Sequence, residues 1–236
     1  MSDAARRGTW VVAVVVVAGL TIGVVAPLAV GWRLETVIAQ AMGGHPQVDV
    51  QVRASPWGLV AGSLIAVDVT ARGARLGQLP VSSMILRLRA VEVGFGRLVR
   101  GDPGALSRVD RGDGDLVLSR ADLEGFLASV KGMQRAEVGL QAGVVTIEGD
   151  VRVGSLDLRA RLEGRLVVAS PTTVDLYVQT LTVSGVEIPR EIGGVLVSSL
   201  NPLISLEGLP VPLRIESVAV EDDQVRMTVR VVESSS

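Results

Sequence analysis

Cysteine is absent from this 236-residue chain, histidine occurs once, at His45, and lysine once, at Lys131. Without cysteine there is no disulfide framework, no thiolate metal site, no thiol nucleophile and no site for a lipid-modified N-terminal cysteine. The lone histidine sits in "GGHPQ", a turn-like stretch with no nucleophile and orienting carboxylate singled out beside it. A surface turn is therefore its simplest reading. Aromatic residues make up 3% of the chain although 48% is hydrophobic, so the interior must be built from Val, Leu, Ile and Ala. That apolar content is ample for a core and excludes a disordered chain. The formal net charge is −2, which gives no nucleic-acid footprint. Phosphate loops, G-x-G-x-x-G and the G-x-S-x-G elbow do not occur, and nothing in the chain asks for a cofactor.

Residues 10–32, "WVVAVVVVAGLTIGVVAPLAVGW", form a run without a charge. As a helix it would be about 34 Å long, against roughly 30 Å of bilayer hydrocarbon. Trp10 and Trp32 end it as an aromatic belt would, and Arg6 and Arg7 precede it. The expectation is a single-pass plasma-membrane anchor, with 1–9 a cytoplasmic tail and the rest outside. A cleaved signal peptide is the alternative, with "APLA" at 26–29 near the cleavage positions. Either way 33–232 is an extracytoplasmic domain, and 233–236 a disordered tail.

Three stretches carry helical spacing. Leu34, Val37, Ile38, Ala41 and Met42 form the first, stopped by Gly43 and Gly44. Ser119 caps the second, with Asp122 three residues on, and Leu123, Phe126, Leu127 and Val130 form its stripe. Pro189 opens the third, whose apolar face is Ile192, Val195, Leu196 and Leu200. Elsewhere apolar residues alternate with polar ones, as in half-buried strands. Val48, Val50 and Val52 do so, then Ile65, Val67 and Val69, then Leu86 and Leu88. Near Ala90 the phase shifts to Val91, Val93 and Phe95, as one inserted residue in a bulge would cause. From 137 to 183, short breaks at "QAG", "EGD", "VGS", "LEG", "SPTT" and "VSG" predict a meander, and "EDDQ" a last hairpin. "DRGDGD" at 110–115 fails the spacing of a calcium loop and reads as a solvated turn. No metal site is expected. Arg87 with Arg89, and Arg159 with Arg161, share a strand face; a solvated sheet surface accounts for them, and headgroup contact is the alternative.

These elements predict an α+β fold: one long, curved antiparallel sheet wrapping about three helices, half-barrel-like, after one N-terminal transmembrane helix. Incomplete helical cover of a Val/Leu face would leave an elongated apolar groove. Candidate lining residues are Val195, Leu196 and Leu200, with Leu123, Phe126 and Leu127. The proline-rich "NPLISLEGLPVPLRI" at 201–215 adds Leu203, Ile204, Leu206, Leu209 and Val211, as a rim, a floor or a core plug.

The order of blocks resembles the LmeA-like proteins, a bacterial envelope family. The likeness rests on "SPWGLVAGSLIAVDVTA" (55–71), "LVLSRADLEGFL" (116–127), "GVVTIEGDVRVGSLDLRARLEGRLVV" (143–168), "VSGVEIPREI" (183–192) and the block from Asn201 to Met227. It implies an exported, membrane-associated phospholipid-binding protein; some relatives are linked to envelope lipid maintenance and to phospholipase activity. No catalytic residue carries over. Three functions stay open: a lipid binder holding acyl chains in a groove, a structural module whose sheet is filled by its own side chains, and a hydrolase.

Overall fold

The computed structural model describes residues 35, 47–76, 79–100, 102, 106–130, 133–153, 156–189, 201–207, 209 and 211–232. The apolar run 10–32 with Trp10 and Trp32, His45, and the third expected helix with Val195, Leu196 and Leu200 lie outside them. Of the first expected helix only Glu35 is described, and it is helical. Among the described residues no helix is long and apolar enough to cross a membrane.

The α+β expectation is overturned. Strands dominate, and they form two antiparallel sheets instead of one sheet curled around helices. The first sheet has the order β1-β2-β3-β4-β12-β11. Its strands are β1 (Gln47–Arg53), β2 (Ser63–Leu76), β3 (Leu79–Val93), β4 (Leu106–Ser119), β11 (Leu213–Glu221) and β12 (Gln224–Val231). The second has the order β10-β8-β7-β6-β5, with β9 (Val186–Glu187) beside β8. Its strands are β5 (Met133–Gln141), β6 (Val144–Val153), β7 (Leu156–Ser170), β8 (Thr173–Val183) and β10 (Ile204–Ser205). The meander β5 to β8 and the hairpin turn at 222–223 form as the spacing predicts. "EGD" and "LEG", read as breaks, run straight through β6 and β7. Described helices are short: α1 (Pro56–Ala61), α2 (Phe95–Val99) and α3 (Arg120–Ser129). Phe95 starts α2 and does not extend β3.

Local alternation could not show that the last hairpin leaves the meander to pair with β4. There Val225 meets Leu118 and Met227 meets Leu116. This pairing closes a loop of about 100 residues, a separation that no local period encodes.

β4 also corrects the reading of "DRGDGD", which is a central strand and not a turn. Gly112 and Gly114 face inward and Asp113 and Asp115 outward, toward Arg87. A Cβ on Gly112 would lie 2.6 Å from Val231 and 2.8 Å from Leu88; one on Gly114 would collide with Leu86 and sit 2.6 Å from the Ile85 carbonyl oxygen. Large neighbours on β3 and β12 fill the space, so the strand between them has to be bare there.

The phase shift near Ala90 is present, but its cause is not one extra residue. Arg89 faces Arg111 and Val91 faces Val109, so the β3–β4 register is unchanged across Ala90. The β2–β3 register is likewise kept, from Leu64 opposite Val91 to Ala66 opposite Arg89. Ala90 takes φ +50, and the inward–outward alternation breaks at the same level in β2, β3 and β4, which marks one crease. This turns Ile65 outward, 60% exposed, where alternation placed it with the buried Val67 and Val69.

α3 forms where the cap signal puts it. Ser119 and Asp122 make a complete capping box, worth about 1 kcal/mol, and Leu123 and Leu127 are buried. The Asp122 carboxylate also accepts a hydrogen bond from the Ser82 hydroxyl of β3. On the other side, Glu124 Oε1 accepts from the Val138 backbone N–H of β5 at 3.0 Å. β11 ties the sheets a second time. The Ile215 N–H donates to the Pro171 carbonyl at 2.7 Å, and the Gly143 N–H donates to the Val220 carbonyl at 3.1 Å. Pro171 lies in the β7–β8 turn and Gly143 in the β5–β6 turn, at one end of the second sheet. β11 therefore runs across those strands' tips.

Gly114→Val should overpack this core and lower the unfolding free energy by about 1–3 kcal/mol, read as a fall in urea midpoint. Gly125→Ala, on the exposed side of α3 with nothing within 4 Å of the new Cβ, should leave the midpoint unchanged or raise stability by about 0.5–1 kcal/mol.

Candidate lipid site between the sheets

The inner faces are almost wholly aliphatic. Val67, Val69, Met84, Leu88, Leu116, Leu118, Val225 and Met227 of the first sheet share one buried cluster with Val138, Leu140, Val145, Ile147, Val174 and Leu176 of the second. Alternation puts these residues inside, and their polar neighbours outside as two charged surfaces. On the second sheet's outer face Arg161 donates to Glu163 and Glu148. The hydrogen bond to Glu163, then the charge of Glu148, raise the Arg161 pKa above its ordinary value. Open polar grooves of about 300 Å³ and about 130 Å³ lie on the two outer surfaces. Arg53, Asp68 and Arg87 line the larger, and Arg135, Glu148 and Asp150 the smaller. Among the described residues no group of three or more His, Asp or Glu side chains is gathered as a metal site would need.

The structure brings eight of the expected lining residues together. Leu123 (2% exposed) and Leu127 (1%) enter the cluster from α3, with Phe126 partly buried against it. Leu203 (3%), Ile204 (1%), Leu206 (3%) and Val211 (4%) enter from the proline-rich segment, with Leu209 partly buried. The two groups lie about 80 residues apart in the chain and belong to one apolar body, α3 packed on β5 and the proline-rich segment on β8 at the other edge of the second sheet.

The proline-rich segment reaches this position along the edge of the second sheet. β10 pairs only Ile204 with Val174 and Ser205 with Thr173. The Leu203 N–H donates to the Val174 carbonyl at 3.0 Å and the Leu206 N–H to the Thr172 carbonyl at 2.9 Å. Asn201 brackets Leu176: its Oδ1 accepts from the Leu176 N–H at 2.9 Å and its Nδ2 donates to the Leu176 carbonyl at 3.3 Å. An asparagine side chain thus stands in for the next residue of the strand. Beyond Ser205, Pro210 and Pro212 cannot donate to a ladder, which keeps the segment from extending the sheet.

Sequence reasoning missed two features. Trp57 on α1 is 85% exposed, and Arg53, Arg89 and Arg111 share one row of the first sheet. An unusual tryptophan is visible in the sequence, but the row needs the pairing register.

The chain matches the model of the LmeA-like phospholipid-binding family over residues 23–230. It belongs to that family, as the order of its sequence blocks indicates. No curated protein and no solved structure matches it.

Asn201→Ala should leave the Leu176 N–H and C=O without partners and cost about 1–3 kcal/mol. Thermal unfolding would check this, and Asn201→Asp, which keeps the acceptor, should recover part of the loss.

Proposed function

We propose that this chain holds the acyl chains of a phospholipid against the aliphatic body between its sheets, on the outer side of a bacterial plasma membrane. In this reading the apolar segment 10–32 tethers it, with the N-terminus in the cytoplasm, and it serves envelope lipid maintenance or transport. Membership of a phospholipid-binding family supports the ligand class. The observation that supports the location is that α3 and the 201–211 segment border one aliphatic cluster from opposite edges of the second sheet.

The physics of the exchange is favourable. Burying a methylene gains about 0.8 kcal/mol, so a dozen acyl carbons gain roughly 10 kcal/mol. If Leu203, Ile204 and Leu206 swing off the inner faces, an acyl chain can cover the same surface, and apolar contacts replace apolar contacts. The hold to be released is small: a two-residue strand and its flanking hydrogen bonds. No step requires a nucleophile. The competing reading is a permanent core plug, and the 1–3% exposure of those three side chains favours it.

Mass spectrometry of lipid extracted from the purified full chain separates the two. Near-stoichiometric phospholipid that survives detergent exchange is expected. Protein that carries none, and takes up none from mixed micelles, would leave the plug reading. Leu209→Asp, at a half-buried position, should cut retained lipid severalfold with little change in thermal midpoint. Leu206→Asp, fully buried, should unfold the domain.

A further inference from the structure

We propose that the end of the first sheet carrying Trp57 is a docking face for the headgroup surface of an anionic phospholipid bilayer. The inference rests on the phospholipid-binding reading only for its ligand class, and it concerns a different part of the molecule from the inter-sheet cluster.

Trp57 is the most exposed large apolar side chain described, at 85%. Its mount is rigid. A Cβ on the adjacent Gly58 would lie 2.6 Å from the Ser63 carbonyl oxygen, and the Gly58 N–H donates to Ser55 Oγ at 2.9 Å. The Gly62 carbonyl, just past α1, accepts from the Val93 N–H of β3 at 2.7 Å. The indole is therefore held out from a fixed turn and not from a loose loop. An indole is suited to the boundary between headgroups and acyl chains, apolar in body with one N–H donor. Ile65, 60% exposed, and Ala90 lie outward on the crease at the same end of the sheet.

Beside them stands a row of like charge. Pairing places Arg53 opposite Ala66, Ala66 opposite Arg89 and Arg89 opposite Arg111. The row crosses four strands, about 14 Å. Arg53 is paired with Asp68. Among the described residues neither Arg89 nor Arg111 has an acidic partner, although both are exposed. Like charges directly opposite in a sheet destabilise it, and an external anion relieves that repulsion. The chain as a whole is at −2, so attraction to an anionic surface has to come from such a local cluster. Charge and apolar surface together fit a bilayer better than a soluble anion, which would leave Trp57 and Ile65 in water. The leader adds proximity. Fourteen residues separate Trp32 from Gln47, so an anchored chain keeps β1 within about 50 Å of the bilayer.

The test uses the full chain carrying Trp10→Phe and Trp32→Phe, which leaves Trp57 as the only tryptophan. It is reconstituted into phosphatidylcholine vesicles with or without phosphatidylglycerol, and Trp57 is quenched by neutral acrylamide. With phosphatidylglycerol, quenching should fall severalfold and emission should move to shorter wavelength. Arg89→Ala with Arg111→Ala should abolish both changes while retained lipid, measured by mass spectrometry, stays constant. Quenching that is the same in both vesicles overturns the proposal. Shielding that instead grows with protein concentration in detergent would assign the face to a second copy, and also overturns it. Protein that retains no lipid by mass spectrometry, with Trp57 still shielded by phosphatidylglycerol vesicles, would sink the inter-sheet reading and leave this one standing.

Discussion

Two carboxylates on α3, two residues apart, serve different sheets. Asp122 turns back to Ser119 and Ser82 on the first sheet, and Glu124 reaches the Val138 backbone on the second. Hydrogen bonds to charged groups are worth about 1.5–3 kcal/mol, and these also fix direction. The helix is thereby set as a spacer at one side of the aliphatic body, while β11 closes another side across the hairpin tips. Its small buried stripe, Leu123 and Leu127, is enough because its polar ends set its position. Spacer and crossing strand together fix the separation of the sheets, and with it the width of the core cluster between them.

Much of this was legible in the sequence where the cause is local. Ser119 and Asp122 announced α3, the breaks at "QAG" and "SPTT" announced the meander, and Leu86 and Leu88 showed their buried side. What failed was non-local. The return of β12 to β4 decides that there are two sheets and not one, and nothing in the alternation of Val225, Met227 and Val229 names its partner. "DRGDGD" misled for a related reason. Glycine reads as turn punctuation, whereas Gly112 and Gly114 are there because Leu86, Leu88, Val229 and Val231 occupy the space in front of them. Ile65 misled because the crease at Ala90 is shared by three strands and only one of them showed the phase change.

The proposed sites divide the same way. An excess of apolar residues in "NPLISLEGLPVP" marked a segment that belongs inside, and its four most buried side chains are there. The hold exerted by Asn201 on Leu176 has no sequence signature, since an asparagine before proline suggests a turn. Arg89 stood out only as a neighbour of Arg87, with which it shares a face. Its meaning changes once Arg111 is found across from it and Arg53 beyond Ala66.

β11 has one more effect. An outermost strand normally presents unpaired N–H and C=O groups that can recruit another chain. Here two of those groups, the Ile215 N–H and the Val220 carbonyl, are already engaged by the turns at Pro171 and Gly143. The opposite margin, β1, alternates Gln47, Asp49, Gln51 and Arg53 with its valines, so its exposed side is polar and carries charge of both signs. Molecules crowded side by side thus meet through margins that resist strand-to-strand growth, and the sheet can stay a single copy's sheet at high local concentration.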